Sequence, residues 1–85
     1  MFVIQCAGNE AGEARLGMAV SIRAAGNAVS RNRLRRLIRE SFRMHRQELP
    51  AVDVFVTARA SAKAAPNREV FESLAELWRA VGAAK

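Results

Sequence analysis

Gly26-Asn27-Ala28-Val29-Ser30-Arg31-Asn32-Arg33-Leu34-Arg35-Arg36-Leu37-Ile38-Arg39-Glu40-Ser41-Phe42-Arg43 is the stretch on which the fold turns, because periodicity and charge change there together. Gly26 and Asn27 interrupt an alternating run, and Asn27 can cap a helix beginning at Ala28, with Ser30 as the later alternative. At ~100° per residue from Arg31, the side chains of Leu34, Leu37, Ile38, Ser41, Phe42 and Met44 share one arc. Arg31, Arg35, Arg46, Arg39, Arg43 and Arg36 fill the adjoining arc. The spacing therefore predicts a two-sided helix from Ala28 to Arg46, ended by Leu49-Pro50.

Upstream, Phe2, Ile4 and Cys6 alternate with Val3 and Gln5, the pattern of a half-buried strand. Gly8 to Glu13 reads as a polar turn. Alternation returns from Leu16 to Ser21, with Leu16, Met18 and Val20 toward a core and the small residues Gly17, Ala19 and Ser21 facing away, which leaves room for something to lie against the sheet. Downstream, Val52, Val54 and Val56 alternate with Asp53, Phe55 and Thr57 as a third strand closing at Arg59. Ala60 to Ala65 reads as a loop. Pro66-Asn67 opens a second helix, with Val70, Phe71, Leu74, Leu77, Trp78 and Val81 on one face. The order strand, strand, basic helix, strand, helix predicts one domain over residues 1–85, an α+β or α/β two-layer sandwich.

A chain of 85 residues buries only about 60% of the surface its unfolded form exposes, so the few large side chains carry the core. These are Phe2, Ile4, Leu16, Met18, Val20, Leu34, Leu37, Ile38, Phe42, Val52, Val54, Val56, Val70, Phe71, Leu74, Leu77, Trp78 and Val81, with free Cys6 expected as a small buried thiol. Fourteen basic residues against eight acidic give a net charge of +6 and a pI near 11.3, which points to a polyanionic partner. Arg31, Arg33, Arg35, Arg36, Arg39, Arg43 and Arg46 fall close together, opposed only by Glu40. Like charges at i and i+4 each cost the free helix about 0.2–0.5 kcal/mol, so a surface without a partner would gain by alternating signs. Arginine outnumbers lysine twelve to two, and its planar fork suits phosphate better than a point charge does.

The parts for chemistry are missing. His45 is the only histidine and reads as a helix-end residue. One cysteine makes no disulfide or cysteine zinc site, and fits a reducing compartment. Glu40, Glu48 and Asp53 stand singly among arginines, while Glu69, Glu72 and Glu76 suit a solvated helix face. No glycine loop leads to a lysine that would cradle phosphate. No signal segment or apolar run of membrane-spanning length is present, so cytoplasmic localisation and no membrane partner are expected. No catalytic residue, metal ligand or protein-bound cofactor is expected.

The quoted stretch closely resembles the signature of the protein subunit of bacterial ribonuclease P, with its Arg-Asn-Arg segment leading an arginine-rich helix. Arg15-Leu16-Gly17-Met18-Ala19-Val20-Ser21 and Asp53-Val54-Phe55-Val56-Thr57-Ala58-Arg59 look like that family's flanking strands. The resemblance implies an α+β two-layer sandwich of the ribonuclease P protein-like (ribosomal protein S5 domain 2-like) fold, with a left-handed βαβ crossover that runs against the usual preference. It also implies an accessory subunit of an endoribonuclease that removes the 5′ leader of precursor tRNA. Catalysis would then belong to the RNA subunit and the Mg2+ it uses.

By the same resemblance, Arg31, Arg33 and Arg36 would dock on the catalytic RNA, and Asn32, Arg35 and Arg39 would face a cleft between helix and sheet that holds the single-stranded leader. Arg43 belongs to the same RNA-binding stripe. Val3, Gln5, Ala19, Ser21 and Arg23 would line the cleft floor. Gln5 stands where members often carry an aromatic residue, and Ile22 where a lysine is common. Members usually carry a further basic segment and a first helix ahead of the first strand. Without them leader affinity would fall, and an exposed sheet edge would favour self-association.

Three other functions can be set against the pattern. A general nucleic-acid chaperone or regulator on the same scaffold would bind unrelated structured RNAs as well as the catalytic RNA. A basic amphipathic helix on anionic lipid is disfavoured because Leu34, Leu37, Ile38 and Phe42 are needed to cover the sheet. A helix-turn-helix DNA reader would need a short partner helix before the basic one, where strands are expected instead.

Overall fold

The computed structural model describes residues 1–83. Strands β1 (Phe2–Gly8) and β2 (Arg15–Ala19) are followed by a one-turn helix α1 (Ile22–Ala25) and the long helix α2 (Ala28–His45). A 3-10 turn at Arg46–Glu48 leads to β3 (Val52–Ala58), and a second at Ala60–Ala62 leads to helix α3 (Asn67–Ala83). The sheet order is β1-β3-β2, with β3 antiparallel to β1 and parallel to β2. A parallel pair needs a crossover, which α1 and α2 supply.

The alternation in the sequence becomes two unlike faces. On one, Ile4, Val56 and Met18 form a row across the three strands, as do Cys6, Val54 and Leu16. Val54 and Val56 are fully covered there by a layer of helix side chains that includes Leu34, Leu37 and Ile38 of α2 and Val70, Leu74 and Trp78 of α3. On the other face, Gln5, Phe55 and Gly17 form a row, flanked by Val3-Thr57-Ala19 and Ala7-Asp53-Arg15. No element covers that face among the described residues. The architecture is the expected α+β two-layer sandwich.

Every large side chain expected in the core is buried or packs against the buried cluster. The polar exception is Ser41, fully buried, whose hydroxyl accepts the indole N–H of Trp78 at 2.8 Å. Trp78 also meets Phe42 edge to face at 5.7 Å, a geometry worth about 0.5–1.5 kcal/mol beyond the area buried.

Three expectations are corrected. Cys6 shares its face with Phe2 but is exposed, because β1 is an edge strand and the helix layer leaves its far end uncovered. Met44 is 62% exposed: it sits at the margin of the apolar arc, one residue before the end of α2. The second strand ends at Ala19 rather than Ser21. The Ser21 hydroxyl accepts the N–H of Ala24 at 3.0 Å and caps α1, a competition between side chain and strand that short polar residues often win. Gly26, at φ 94°, closes that turn in a conformation costly to any other residue. Asn27 then caps α2 as expected, accepting from the Ser30 N–H at 2.8 Å.

Candidate nucleic-acid interface

Helix α2 is anchored by its buried arc and held at its start by its own arginines. Arg31 Nε donates to the carbonyl of Val20 at 2.8 Å, tying the first turn to the residue that follows β2. Arg33 Nε donates to Asn67 Oδ1 at 2.9 Å, and its Nη2 donates to the carbonyl of Ala65, tying the helix to the start of α3. Both side chains are half-buried. Each guanidinium has five N–H donors, so these contacts fix its position and leave donors facing outward. The two arginines of the Arg-Asn-Arg segment thus set the angle at which α2 presents the rest of its charge. Asn32 between them is exposed.

Further along, Arg35 and Arg39 line a groove of about 540 Å³ between α2 and β2, together with Ala14, Arg15, Leu16, Met18, Phe42 and Arg46. Its floor is apolar and its walls carry guanidinium groups. Arg36, Arg39 and Arg43 border a smaller hollow of about 290 Å³ beside it. Among the described residues, Arg35, Arg36, Arg39 and Arg43 form no ion pair, whereas Arg46 pairs with Glu13 at 2.7 Å and Arg15 with Asp53 at 2.7 Å. The unpaired charge is therefore concentrated on α2.

The structure divides the expected cleft in two. Arg35 and Arg39 meet Leu16 and Met18, the helix-side residues of β2, while Val3, Gln5 and Ala19 belong to the opposite, open face. Alternation requires this: a helix packed on the apolar side of a strand cannot also overlie the side chains in between. Ser21 is the cap of α1 and Arg23 is exposed on that helix. Residues 3, 5 and 19 are brought together with one another, but the helix arginines lie across the β2 edge from them.

The open face also holds Phe55, 43% exposed, directly between Gln5 and Gly17. It is not among the site residues that the resemblance implies, although its alternation with Asp53 and Thr57 places it on this face. An aromatic ring thus stands one strand away from Gln5. Beside it, Asp53 accepts from Arg15 Nε at 2.7 Å, from Arg15 Nη2 at 3.0 Å and from Asn9 Nδ2 at 2.9 Å. The hydrogen bond from Arg15, then that from Asn9, holds the Asp53 carboxyl below its ordinary range, and Asp53 in turn raises Arg15. This clip ties the Gly8 to Glu13 turn to the middle strand.

No group of three His, Cys, Asp or Glu side chains is placed to hold a metal ion among the described residues. No helix there is long and apolar enough to cross a membrane. A thin α+β domain with an arginine helix tied down at its start, and without ion pairs at Arg35, Arg36, Arg39 and Arg43 among the described residues, defines a small, strongly basic α+β protein.

Comparison with known proteins narrows that class. The sequence profile of the family described as Ribonuclease P matches residues 1–82. The chain is 43% identical over 70 residues to the ribonuclease P protein component of Coxiella burnetii, covering 82% of this chain and 58% of that protein. It is 42% identical over 77 residues to the component from Thioalkalivibrio sulfidiphilus, covering 91% and 64%. The chain thus spans about three-fifths of the length of these relatives. Among solved structures it resembles the RNase P protein of Staphylococcus aureus, with a TM-score of 0.85, 38% identity, and 92% of this chain and 72% of that one covered. The RNase P protein of Thermotoga maritima gives 0.83, 29%, 94% and 76%. The chain belongs to the ribonuclease P protein family.

Proposed function

We propose that this chain is the RNA-binding portion of a ribonuclease P protein subunit, an accessory to a catalytic RNA that removes the 5′ leader of precursor tRNA with its own Mg2+. The observation that carries this reading is the run of unpaired guanidinium groups at Arg35, Arg36, Arg39 and Arg43 on one exposed side of α2. Arg31 and Arg33 contribute their outward N–H groups and hold the helix in place. A-form RNA presents phosphates and 2′-hydroxyls rather than readable base edges in its deep groove, and a rigid array of forks suits that target. The leader would lie near Val3, Gln5, Ser21 and Arg23. The protein supplies binding and orientation, and no protein side chain is assigned a proton-transfer or nucleophilic role.

The test is multiple-turnover cleavage of precursor tRNA by a cognate catalytic RNA at low magnesium, with and without the chain. Stimulation is expected. Tight binding to that RNA with no stimulation would reject the leader half of the reading, and equal affinity for unrelated structured RNAs would favour a general chaperone instead. The free edges of β1 and β2 support self-association as a further property, which sedimentation at increasing concentration measures.

A further inference from the structure

We infer that two copies of the chain pair through the free edge of β1, antiparallel about a two-fold axis at Gln5, joining their 3-stranded sheets into one. This rests on the self-association proposed above and assigns it to one edge, one register and one stoichiometry. The backbone of β1 is arranged for it. The Arg59 N–H donates to the Met1 carbonyl at 2.9 Å, and the Asn9 N–H donates to the Ala51 carbonyl at 3.0 Å. Alternation in an antiparallel ladder then turns the backbone groups of Val3, Gln5 and Ala7 toward β3 and those of Phe2, Ile4, Cys6 and Gly8 outward. Among the described residues, no strand pairs with that outer row.

Sheet edges are ordinarily guarded by charge, proline or a bulge. From Phe2 to Gly8, β1 has no charged residue and no proline, and its register with β3 runs without a bulge. The other edge strand, β2, begins at Arg15 and has Arg35, Arg39 and Arg46 along its flank. Joining two β2 edges would press those arginines together, whereas joining two β1 edges leaves them at the far ends of the pair. The helix beside β1 is α3, whose outer side mixes Arg68 and Arg79 with Glu69, Glu72 and Glu76. Centring the pair on Gln5 sets Phe2 opposite the partner's Gly8 and Ile4 opposite the partner's Cys6, so outward donors meet outward acceptors. The contact also covers exposed Cys6 and half-buried Ile4 on the helix side, and places Val3, 41% exposed, against the partner's Ala7 on the open face. A two-fold contact uses the same edge on both copies and therefore closes at two.

The experiment is sedimentation velocity of the chain at rising concentration, together with oxidative cross-linking of a Gln5→Cys, Cys6→Ser variant. The unaltered chain should pass from one copy to two and no further. Gln5 meets the partner's Gln5 at a non-hydrogen-bonded position, where Cα atoms lie about 4.5 Å apart, within disulfide reach, so the variant should form a covalent pair. Native Cys6 is staggered along the strands from the partner's Cys6 and should not. Cys6→Pro removes the outward N–H from each copy without touching the bonds to β3, and should weaken pairing about five- to a hundred-fold, the loss of one hydrogen bond per copy. Cys6→Lys, which puts charge on the edge and asks nothing of the backbone, should weaken it as well, while Ala19→Lys on β2 should leave it unchanged. Pairing that survives both Cys6 variants, growth past two copies, or a Gln5→Cys chain that does not cross-link overturns the β1 interface while leaving self-association standing. A chain that stays single at every concentration overturns both.

Discussion

Helices α2 and α3 do the same work on their inner sides and opposite work on their outer sides. α2 buries Leu34, Leu37, Ile38, Ser41 and Phe42, and α3 buries Val70, Leu74, Trp78 and Val81, all in one cluster against the sheet. Outward, α2 shows arginines opposed only by Glu40, whereas α3 mixes Arg68 and Arg79 with Glu69, Glu72 and Glu76 and forms an Arg68–Glu72 pair one turn apart. α3 has the surface of a helix selected for the fold alone. α2 gives up that compensation, which is why the proposed RNA contact is placed on one helix of an otherwise balanced pair.

The sharpest test of the shared inner role is Leu34→Ala against Leu74→Ala. Both side chains are fully buried, and each substitution should cost about 2–5 kcal/mol by urea denaturation. A much smaller loss at either position would break the equivalence. Next in size is Ser41→Ala, which strands the Trp78 N–H in the core and should cost about 1–3 kcal/mol. Adding Trp78→Phe removes the stranded donor as well, so the double variant should lose less than the two singles combined, as a double-mutant cycle in urea would register.

The outer sides should separate in the salt dependence of RNA binding. With roughly six phosphates contacted, log affinity should fall with log salt at a slope of about −4 to −5. Arg36→Ala with Arg39→Ala should flatten that slope by about one to two units, while Arg68→Ala with Arg79→Ala should leave it unchanged. Stability should stay within about 0.5 kcal/mol in both double variants. Equal slopes in the two would mean that the stripe on α2 is only solvated surface.

The smallest effect concerns the clip at the sheet's edge. The folded-state value of Asp53 lies below its ordinary 3.8, so its contribution to stability is fully present above that value and is lost as pH falls through the lowered one. Asp53→Asn should therefore lower the melting temperature slightly at neutral pH and make its decline below the ordinary value shallower. Parallel melting curves for the variant and the unaltered chain down the acid limb would remove this role from Asp53.

Much of this was legible in the order of residues. The caps at Asn27 and the break at Gly26 are local, so they could be read from neighbouring positions, as could the two periodicities that separate strands from helices. Cys6, Met44 and Ser21 were not legible in the same way. Alternation or angular position says which direction Cys6 and Met44 point, but burial depends on whether another element reaches that spot. Ser21 continued a strand pattern yet had a backbone N–H three residues ahead for its hydroxyl to cap. Phe55 was assigned to a face from the sequence. That its ring lies against Gly17 depends on the pairing of strands separated by α1 and α2.

The sequence by itself determined the three strands and the two long helices, the apolar stripe that must be buried and the arginine stripe that must remain outside, because each follows from contacts within a few residues along the chain. Only the tertiary structure decided that Arg31 and Arg33 spend donors on Val20, Ala65 and Asn67, that the helix arginines and the open sheet face lie on opposite sides of β2, and that Phe55 rests over a glycine. Those outcomes depend on strand order and on which distant segments meet, and hydrogen bonds and ring contacts between distant segments leave no periodic trace in the residues that make them.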